Sequence, residues 1–283
     1  MRFTKMHGIG NDYVFVNCFQ ETVLQPEKTA RYVSDRHFGI GSDGLILIGP
    51  SGAADFEMAM YNADGSRGKM CGNGIRCVAK YVYEKGLTDK TQLTVETLAG
   101  IRKLRLFPEE DRVALVEVNM GEPVFTGERI QVSVSGEPVA NARIPVALQD
   151  CIITCVSMGN PHCVIFMEEV LESLSIEAIG PAIEHHPCFP DRTNVEFVNV
   201  LNQEELAMRV WERGSGETLA CGTGACAAVV AAVRNGYTRE KVTVHLAGGD
   251  LTVFWNRQEN QVYMTGTATE VYEGDIILPK GLQ

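Results

Sequence analysis

Cys71-Gly72-Asn73-Gly74 returns as Cys221-Gly222-Thr223-Gly224, 150 residues later in a chain of 283. Other segments return at nearly the same offset. Asn11-Asp12-Tyr13-Val14-Phe15 is echoed by Asn160-Pro161-His162-Cys163-Val164, and Met60-Tyr61-Asn62 by Val210-Trp211-Glu212. Gly86 returns as Gly236, and Thr94-Val95-Glu96-Thr97-Leu98-Ala99 as Thr243-Val244-His245-Leu246-Ala247. The offset drifts by a residue or two, as single insertions would cause. The chain therefore reads as two copies of one folding unit, residues 1–120 and 121–266. Residues 267–283 exceed the repeat and are expected to return to the first half. Each copy carries one cysteine at the same place, so the two thiols are expected to address one cavity from opposite sides.

Length agrees with two domains of about 130–150 residues each. Apolar residues make up 45% of the chain, enough for each copy to bury a core. The net charge is −11 and no basic stretch stands out, which argues against nucleic acid and anionic membrane surfaces as partners. The longest apolar run, Ala225–Val233, has nine residues, too few to span a bilayer. The opening residues lack the pattern of a secretory signal. Nine cysteines, an odd number, point to reduced thiols in a cytoplasm rather than a disulfide framework.

The coarse element order also repeats. In the first half, 12–19, Leu45–Ile48 and Phe56–Tyr61 read as strands. Pro26–His37 reads as a helix with Pro in its first turn, and Gly74–Lys85 as a helix stopped by Gly86. A hairpin over 101–107 and 112–119 follows. In the second half, Cys163–Met167, Asn194–Val200 and Ala207–Trp211 read as strands, and 175–186 as a helix. Gly224–Arg234 is apolar almost all round and so reads as a buried helix, with a hairpin over 250–255 and 261–265 after it.

Each repeated cysteine stands between a loop and the start of a helix. Backbone N–H groups there are unpaired and carry partial positive charge. A thiol at such a place is expected to ionise more easily than free cysteine, and the same N–H groups can hold a carboxylate. One such phrase alone reads as a turn with a buried filler thiol; two at matched positions read as a pair of acid–base groups. A thiol and a thiolate facing one carbon suit removal of a proton from one side and delivery to the other. Like charges resist ionising together, so the pair is expected to share a proton. The copies differ where selectivity would arise: His162 replaces Tyr13, Glu212 replaces Asn62 and Arg213 replaces Ala63. Arg offers a planar fork for a carboxylate, and Glu can hold an ammonium. Gly39-Ile40-Gly41-Ser42-Asp43-Gly44 fits the dinucleotide pattern G-x-G-x-x-G, but a helix precedes it and a strand follows, the reverse of what that site needs. Cys77, Cys226, Cys151 and Cys155 read as small core residues.

Four blocks carry a resemblance to the diaminopimelate epimerase family. They are Lys5-Met6-His7-Gly8-Ile9-Gly10-Asn11-Asp12-Tyr13, Met70-Cys71-Gly72-Asn73-Gly74-Ile75-Arg76-Cys77, Ser157-Met158-Gly159-Asn160-Pro161-His162, and Trp211 through Gly224. The resemblance covers essentially the whole chain. It implies an α/β fold of the α+β type, with two pseudo-symmetric domains. Each would be a curved mixed sheet wrapped around a central helix, with the active site in the cleft between them. It implies a cofactor-independent isomerase, without pyridoxal phosphate or metal, that interconverts LL- and meso-2,6-diaminopimelate on the route to lysine and peptidoglycan. Cys71 and Cys221 match the family's catalytic positions, and His162 and Glu212 match positions that support the thiols. Asn11, Asn62, Asn160, Asn194 and Arg213 match substrate-binding positions, as do Gly72-Asn73 and Gly222-Thr223. The resemblance also implies a homodimer. Some relatives carry glutamine where this chain has Gly44, so that contact with substrate is expected to differ.

Two other readings stand beside this one. A two-cysteine racemase acting on proline or hydroxyproline would usually place histidine where this chain has Asn73, and would lack Glu212-Arg213-Gly214. A metal or redox module built from Cys71, Cys77, Cys221 and Cys226 would have looser spacing than zinc sites usually show.

Overall fold

The computed structural model describes residues 1–126, 132–133, 139–146 and 149–282, with the side chains of Gln149 and Asp150 outside the description. The chain divides into two units: Met1–Val118 with Gly266–Gln283, and Asn119–Thr265.

In the first unit the order is β1 (Arg2–Gly8), β2 (Asn11–Asn17), α1 (Pro26–Ser34), β3 (Gly44–Gly49), β4 (Phe56–Asn62), β5 (Arg67–Gly68), α2 (Gly72–Glu84), β6 (Gln92–Thr97), β7 (Gly100–Glu109) and β8 (Arg112–Gly121). In the second it is β9 (Ala142–Val146), β10 (Gln149–Ser157), β11 (Pro161–Phe166), α3 (Ile176–Glu184), β12 (Asn194–Asn202), β13 (Glu205–Glu212), β14 (Gly216–Thr218), α4 (Gly222–Arg234), β15 (Lys241–Leu246), β16 (Gly249–Asn256) and β17 (Gln261–Gly266). A last strand, β18 (Thr269–Asp275), pairs with β1 and so belongs to the first unit.

The pairing rules repeat as the sequence does. β1–β2 and β10–β11 are antiparallel hairpins. β2–β3 and β11–β12 are parallel, each pair joined through a helix, because a parallel pair needs a crossover. β4–β6 and β13–β15 are again parallel, with α2 and α4 in the connections. β18 flanks β1 in one unit, and β9 flanks β10 in the other. The C-terminal segment thus supplies to the first unit the strand that β9 supplies to the second.

Alternation along the strands decides which side chains face which helix. Val14 and Val16 of β2 join Ala30 and Val33 of α1 in one apolar cluster. Tyr13 and Phe15 therefore lie on the opposite face, the α2 side. In the second unit, Cys163, Ile165, Val195 and Phe197 pack with Ile176 and Ile183 of α3. His162, Asn194 and Glu196 consequently lie on the other face. Helix α4 packs on β10, β11, β12, β13, β15 and β16, and so is the central helix of its unit. Cover on both sides explains why these strands read as continuous apolar runs.

Several bounds differ from the sequence reading. α1 stops at Ser34 rather than His37, because Asp35 turns to an extended conformation and its carboxylate accepts from the His37 and Phe38 N–H groups at 2.8 Å each. The first-half hairpin runs longer than expected, over β7 and β8, with a register shift between Phe107 and Pro108, where proline cannot donate to the ladder. Strand β9 was not anticipated. Its sequence, Ala-Arg-Ile-Pro-Val, carries an internal proline, which reads against a strand. Among the described residues no helix is long and apolar enough to cross a membrane.

Candidate active site

Cys71 and Cys221 occupy the same local structure. Each is the residue capping its helix, with backbone angles of φ −130°, ψ 119° for Cys71 and φ −125°, ψ 110° for Cys221. Each sulfur accepts a hydrogen bond from the glycine three residues on, Gly74 N–H at 3.3 Å and Gly224 N–H at 3.4 Å. The repeated phrase explains this: an N-cap acceptor satisfies one of the helix's unpaired donors. Downstream, Gly86 and Gly236 adopt φ of +69° and +76° just past the helix ends, a conformation glycine enters without strain. None of the nine cysteines is in a disulfide.

Around Cys71 the first unit gathers Asn11, Tyr13 and Asn73. The Cys71 thiol donates to Asn11 Oδ1 at 3.2 Å, and Asn73 Nδ2 donates to the same oxygen at 3.4 Å. The Asn11 amide in turn donates to Asp43 Oδ2 at 2.8 Å. Burial pushes the Tyr13 phenol well above its ordinary range, and the neighbouring Cys71 adds to the rise. Asn11 follows a tight turn in which Ile9 and Gly10 have φ of +47° and +88°. A buried β-branched residue held in the left-handed region is strained, and such strain is characteristic of functional sites. Asn62 lies across Gly44 from Tyr13 in the strand register, and its amide donates to Ser66 Oγ at 2.9 Å. A Cβ added at Gly44 would meet the Tyr61 carbonyl oxygen at 2.2 Å, so a side chain there needs a shifted backbone.

The second unit is more heavily charged. The Cys221 sulfur lies 3.5 Å from Thr223 Oγ1, which accepts from Asn160 Nδ2 at 3.2 Å. His162 stands 3.1 Å from Asn160 Oδ1 through Nε2 and 2.7 Å from Glu196 Oε1 through Nδ1. Glu212 Oε1 accepts from Thr218 Oγ1 at 2.6 Å. Burial raises the Glu212 carboxyl, while Thr218, His162 and the Cys221 thiol oppose the rise. The turn that carries Glu212 is held from outside by Glu184, the last residue of α3. Its carboxylate accepts from Trp211 Nε1 at 2.7 Å and from the Gly214 N–H at 3.0 Å. Asn194 acts as a brace: its amide donates to the Pro161 carbonyl at 2.8 Å, and its Oδ1 accepts from the Arg213 N–H at 2.9 Å. The Arg213 guanidinium donates to the Asp191 carbonyl at 3.1 Å. Gly72 and Gly222 are buried at the first helical positions of α2 and α4.

One expectation changes. The helix end was expected to ease ionisation of both thiols. Cys221 instead sits well above the ordinary thiol range, first because it is buried and then because the Glu212 and Glu196 carboxylates face it. Thr223 and the Gly224 N–H pull the other way but are outweighed. The remaining cysteines behave as core. Burial pushes Cys77 up to about 12, and Cys155 and Cys226 are fully buried. Among the described residues no three His, Cys, Asp or Glu side chains are gathered as a metal ion would require.

Sequence reasoning missed Glu196, Asp43 and Thr218. Glu196 left a signal: an acidic residue within the apolar run Asn194-Val195-Glu196-Phe197-Val198, two residues from Asn194 and so on its face of the strand. Asp43 lay inside the segment rejected as a dinucleotide loop. That segment is a turn leading into β3, and its carboxylate orients Asn11.

The two helix starts differ in one testable respect. A Cβ at Gly224 would come 2.8 Å from Glu196 Oε1 and 3.3 Å from the Cys221 sulfur. The carboxylate cannot yield without leaving His162. Gly224→Ala is therefore expected to lower stability by about 1–3 kcal/mol and to impair any activity of Cys221. A Cβ at Gly74 would meet Ile46 Cδ1 at 2.6 Å, the end of a rotatable side chain, so Gly74→Ala is expected to cost under about 1 kcal/mol. Chemical denaturation of both variants checks the order; equal losses would contradict it.

A family model described as diaminopimelate epimerase matches residues 3–126 and 154–271. The chain is 55% identical to a diaminopimelate epimerase of Acetivibrio thermocellus, over 98% of this chain and 99% of that one. It is 56% identical to one of Agathobacter rectalis and 54% to one of Methanococcus maripaludis, over the same shares. Among solved structures it resembles a hydroxyproline epimerase of Agrobacterium vitis, with a TM-score of 0.68 at 14% identity over 98% of this chain and 90% of that one. It also resembles a phenazine biosynthesis protein of Bacillus anthracis, with a TM-score of 0.70 at 16% identity over 98% and 99%. The structural likenesses establish the fold, and the sequence likenesses establish the kinship: the chain belongs to the diaminopimelate epimerase family.

Proposed function

We propose that this protein is an isomerase that interconverts LL- and meso-2,6-diaminopimelate by cysteine acid–base transfer at one α-carbon, without a cofactor. One observation carries the reading: two cysteines in duplicated units cap two helices with matching backbone angles and matching glycine N–H bonds. In this reading one sulfur takes the α-proton and the other returns a proton, each serving the opposite role in the reverse direction. Cys221, held protonated by burial and by its carboxylate neighbours, enters as the acid. Glu212 and His162 govern its proton.

The first-turn N–H groups at Gly72-Asn73 and Gly222-Thr223 would hold the α-carboxylate and stabilise the negative charge that develops as the proton leaves. Asn11 and Asn160, each tied to its own cysteine's surroundings, would orient the reacting end. Asn62, Asn194 and Arg213 would read the distal amino-acid end, so that one stereocentre reacts. Membership of the family supports the substrate class. A homodimer in the cytoplasm, with the duplicated halves as its two working domains, completes the proposal.

NMR in D2O tests it. Incubation of LL-diaminopimelate with purified protein, without added cofactor, is expected to yield meso product carrying deuterium at one α-carbon. Absence of both exchange and interconversion would refute the reading, as would turnover of proline in its place.

A further inference from the structure

So far Glu196 has figured only as a carboxylate facing Cys221. Yet it sits in the interior of β12 between Val195 and Phe197, with a side chain that is 0% exposed. Its Oε1 meets His162 Nδ1 at 2.7 Å, within the range of charge-assisted bonds. Its Oε2 is buried without a hydrogen-bond partner among the described residues. Burying a carboxylate that is only half satisfied is unfavourable, and an apolar side chain of similar volume would fill the space at no such penalty. Packing therefore does not account for it.

Two chains of contact run from this carboxylate to Cys221. One passes through the His162 ring to Asn160, then to Thr223 Oγ1, and ends at the sulfur. The other is direct: Oε1 abuts Gly224, whose N–H binds the same sulfur. The strand register builds this arrangement. His162 pairs with Asn194, and Val164 with Glu196, so His162 and Glu196 stand diagonally on the α4 face of neighbouring parallel strands. A bare ring nitrogen cannot face a carboxylate oxygen at this distance, since lone pair would oppose lone pair. A carboxylate here therefore calls for a proton on Nδ1.

We propose that Glu196 is a positioning residue that holds a proton on His162 Nδ1 and thereby fixes the ring beside Asn160 and the Thr223–Cys221 contact. This rests on the epimerase reading for its catalytic consequence, and on geometry alone for the state of the ring. Gln at position 196 keeps the shape and removes the demand for that proton. Asp keeps the carboxylate but shortens its reach.

The test combines ring 15N NMR of the full-length protein with steady-state kinetics on diaminopimelate. The wild-type His162 ring is expected to show a protonated Nδ1. Glu196→Gln is expected to change the ring nitrogen shifts and to lower kcat about 10²-fold, with KM within about twofold of wild type. Glu196→Asp is expected to keep Nδ1 protonated and to retain more of kcat than Glu196→Gln. A wild-type ring with bare Nδ1 overturns the proposal, and so does full kcat in Glu196→Gln. A fall in kcat with unchanged ring shifts also overturns it, because that outcome marks a merely structural role. If Glu196→Gln does not fold, the wild-type and Glu196→Asp spectra decide. If the wild-type protein does not turn over diaminopimelate, the functional reading fails alone, since the ring shifts still judge Glu196.

Discussion

Cys71→Ser and Cys221→Ser are each expected to reduce epimerisation by at least about 10³-fold while leaving the fold intact. Serine isolates chemistry from structure. Each cysteine sulfur accepts the glycine N–H that completes the helix cap, and serine is among the best residues for that task. What serine cannot supply is a proton acceptor near neutral pH. Inversion needs one group to take the α-proton and another to return one, so loss of either member stops the cycle. The two losses are therefore expected not to add, as is usual for groups that act as a unit. An NMR assay of the LL-to-meso conversion, paired with thermal melts of the same preparations, checks both halves of the expectation. Activity above a tenth of wild type in either variant would remove that cysteine from the mechanism. A collapse of the melting transition would assign it a structural duty instead.

Arg76→Ala is expected to destabilise the protein by about 2–5 kcal/mol. Arg76 is completely buried, on the helix whose first turn follows Cys71. Its Nη1 donates to the Gly72 carbonyl and its Nε to the Thr267 carbonyl, each at 3.1 Å. One guanidinium thus ties the start of α2 to the segment that leads into β18. Alanine would leave a cavity and strand the Thr267 carbonyl without its donor, two penalties that add. Lysine is expected to rescue little, because a single ammonium cannot reproduce a planar fork with two separated donors. Urea denaturation gives the magnitude, and hydrogen exchange at Gly72–Ile75 locates it. A loss below about 1 kcal/mol, with unchanged exchange, would show that the buried arginine does not anchor this turn.

Much of this architecture was legible before any coordinates. The repeat at about 150 residues corresponds to two units with the same strand pairings, and the glycines after both helices stop them as expected. Strands β2 and β11 could be read from the chain as apolar runs, but not which face of each meets which helix, since both faces are covered. Strand β9 could not, since its partner and its register come from β10. The end of α1 depended on the Asp35 carboxylate capturing two N–H groups, a local competition that helix periodicity does not reveal.

The order of residues alone determined the duplication, the glycine-flanked cysteines and their place at helix starts, because these are near-neighbour relations along the backbone. Tertiary structure alone decided that Cys221 is a reluctant acid and that Glu196 joins His162 and Glu212 around it. Those groups lie far apart in the chain and meet only when β11, β12, β13 and α4 pack together. A thiol's hold on its proton is set by burial and by the charges around it, and neither exists until the unit has folded.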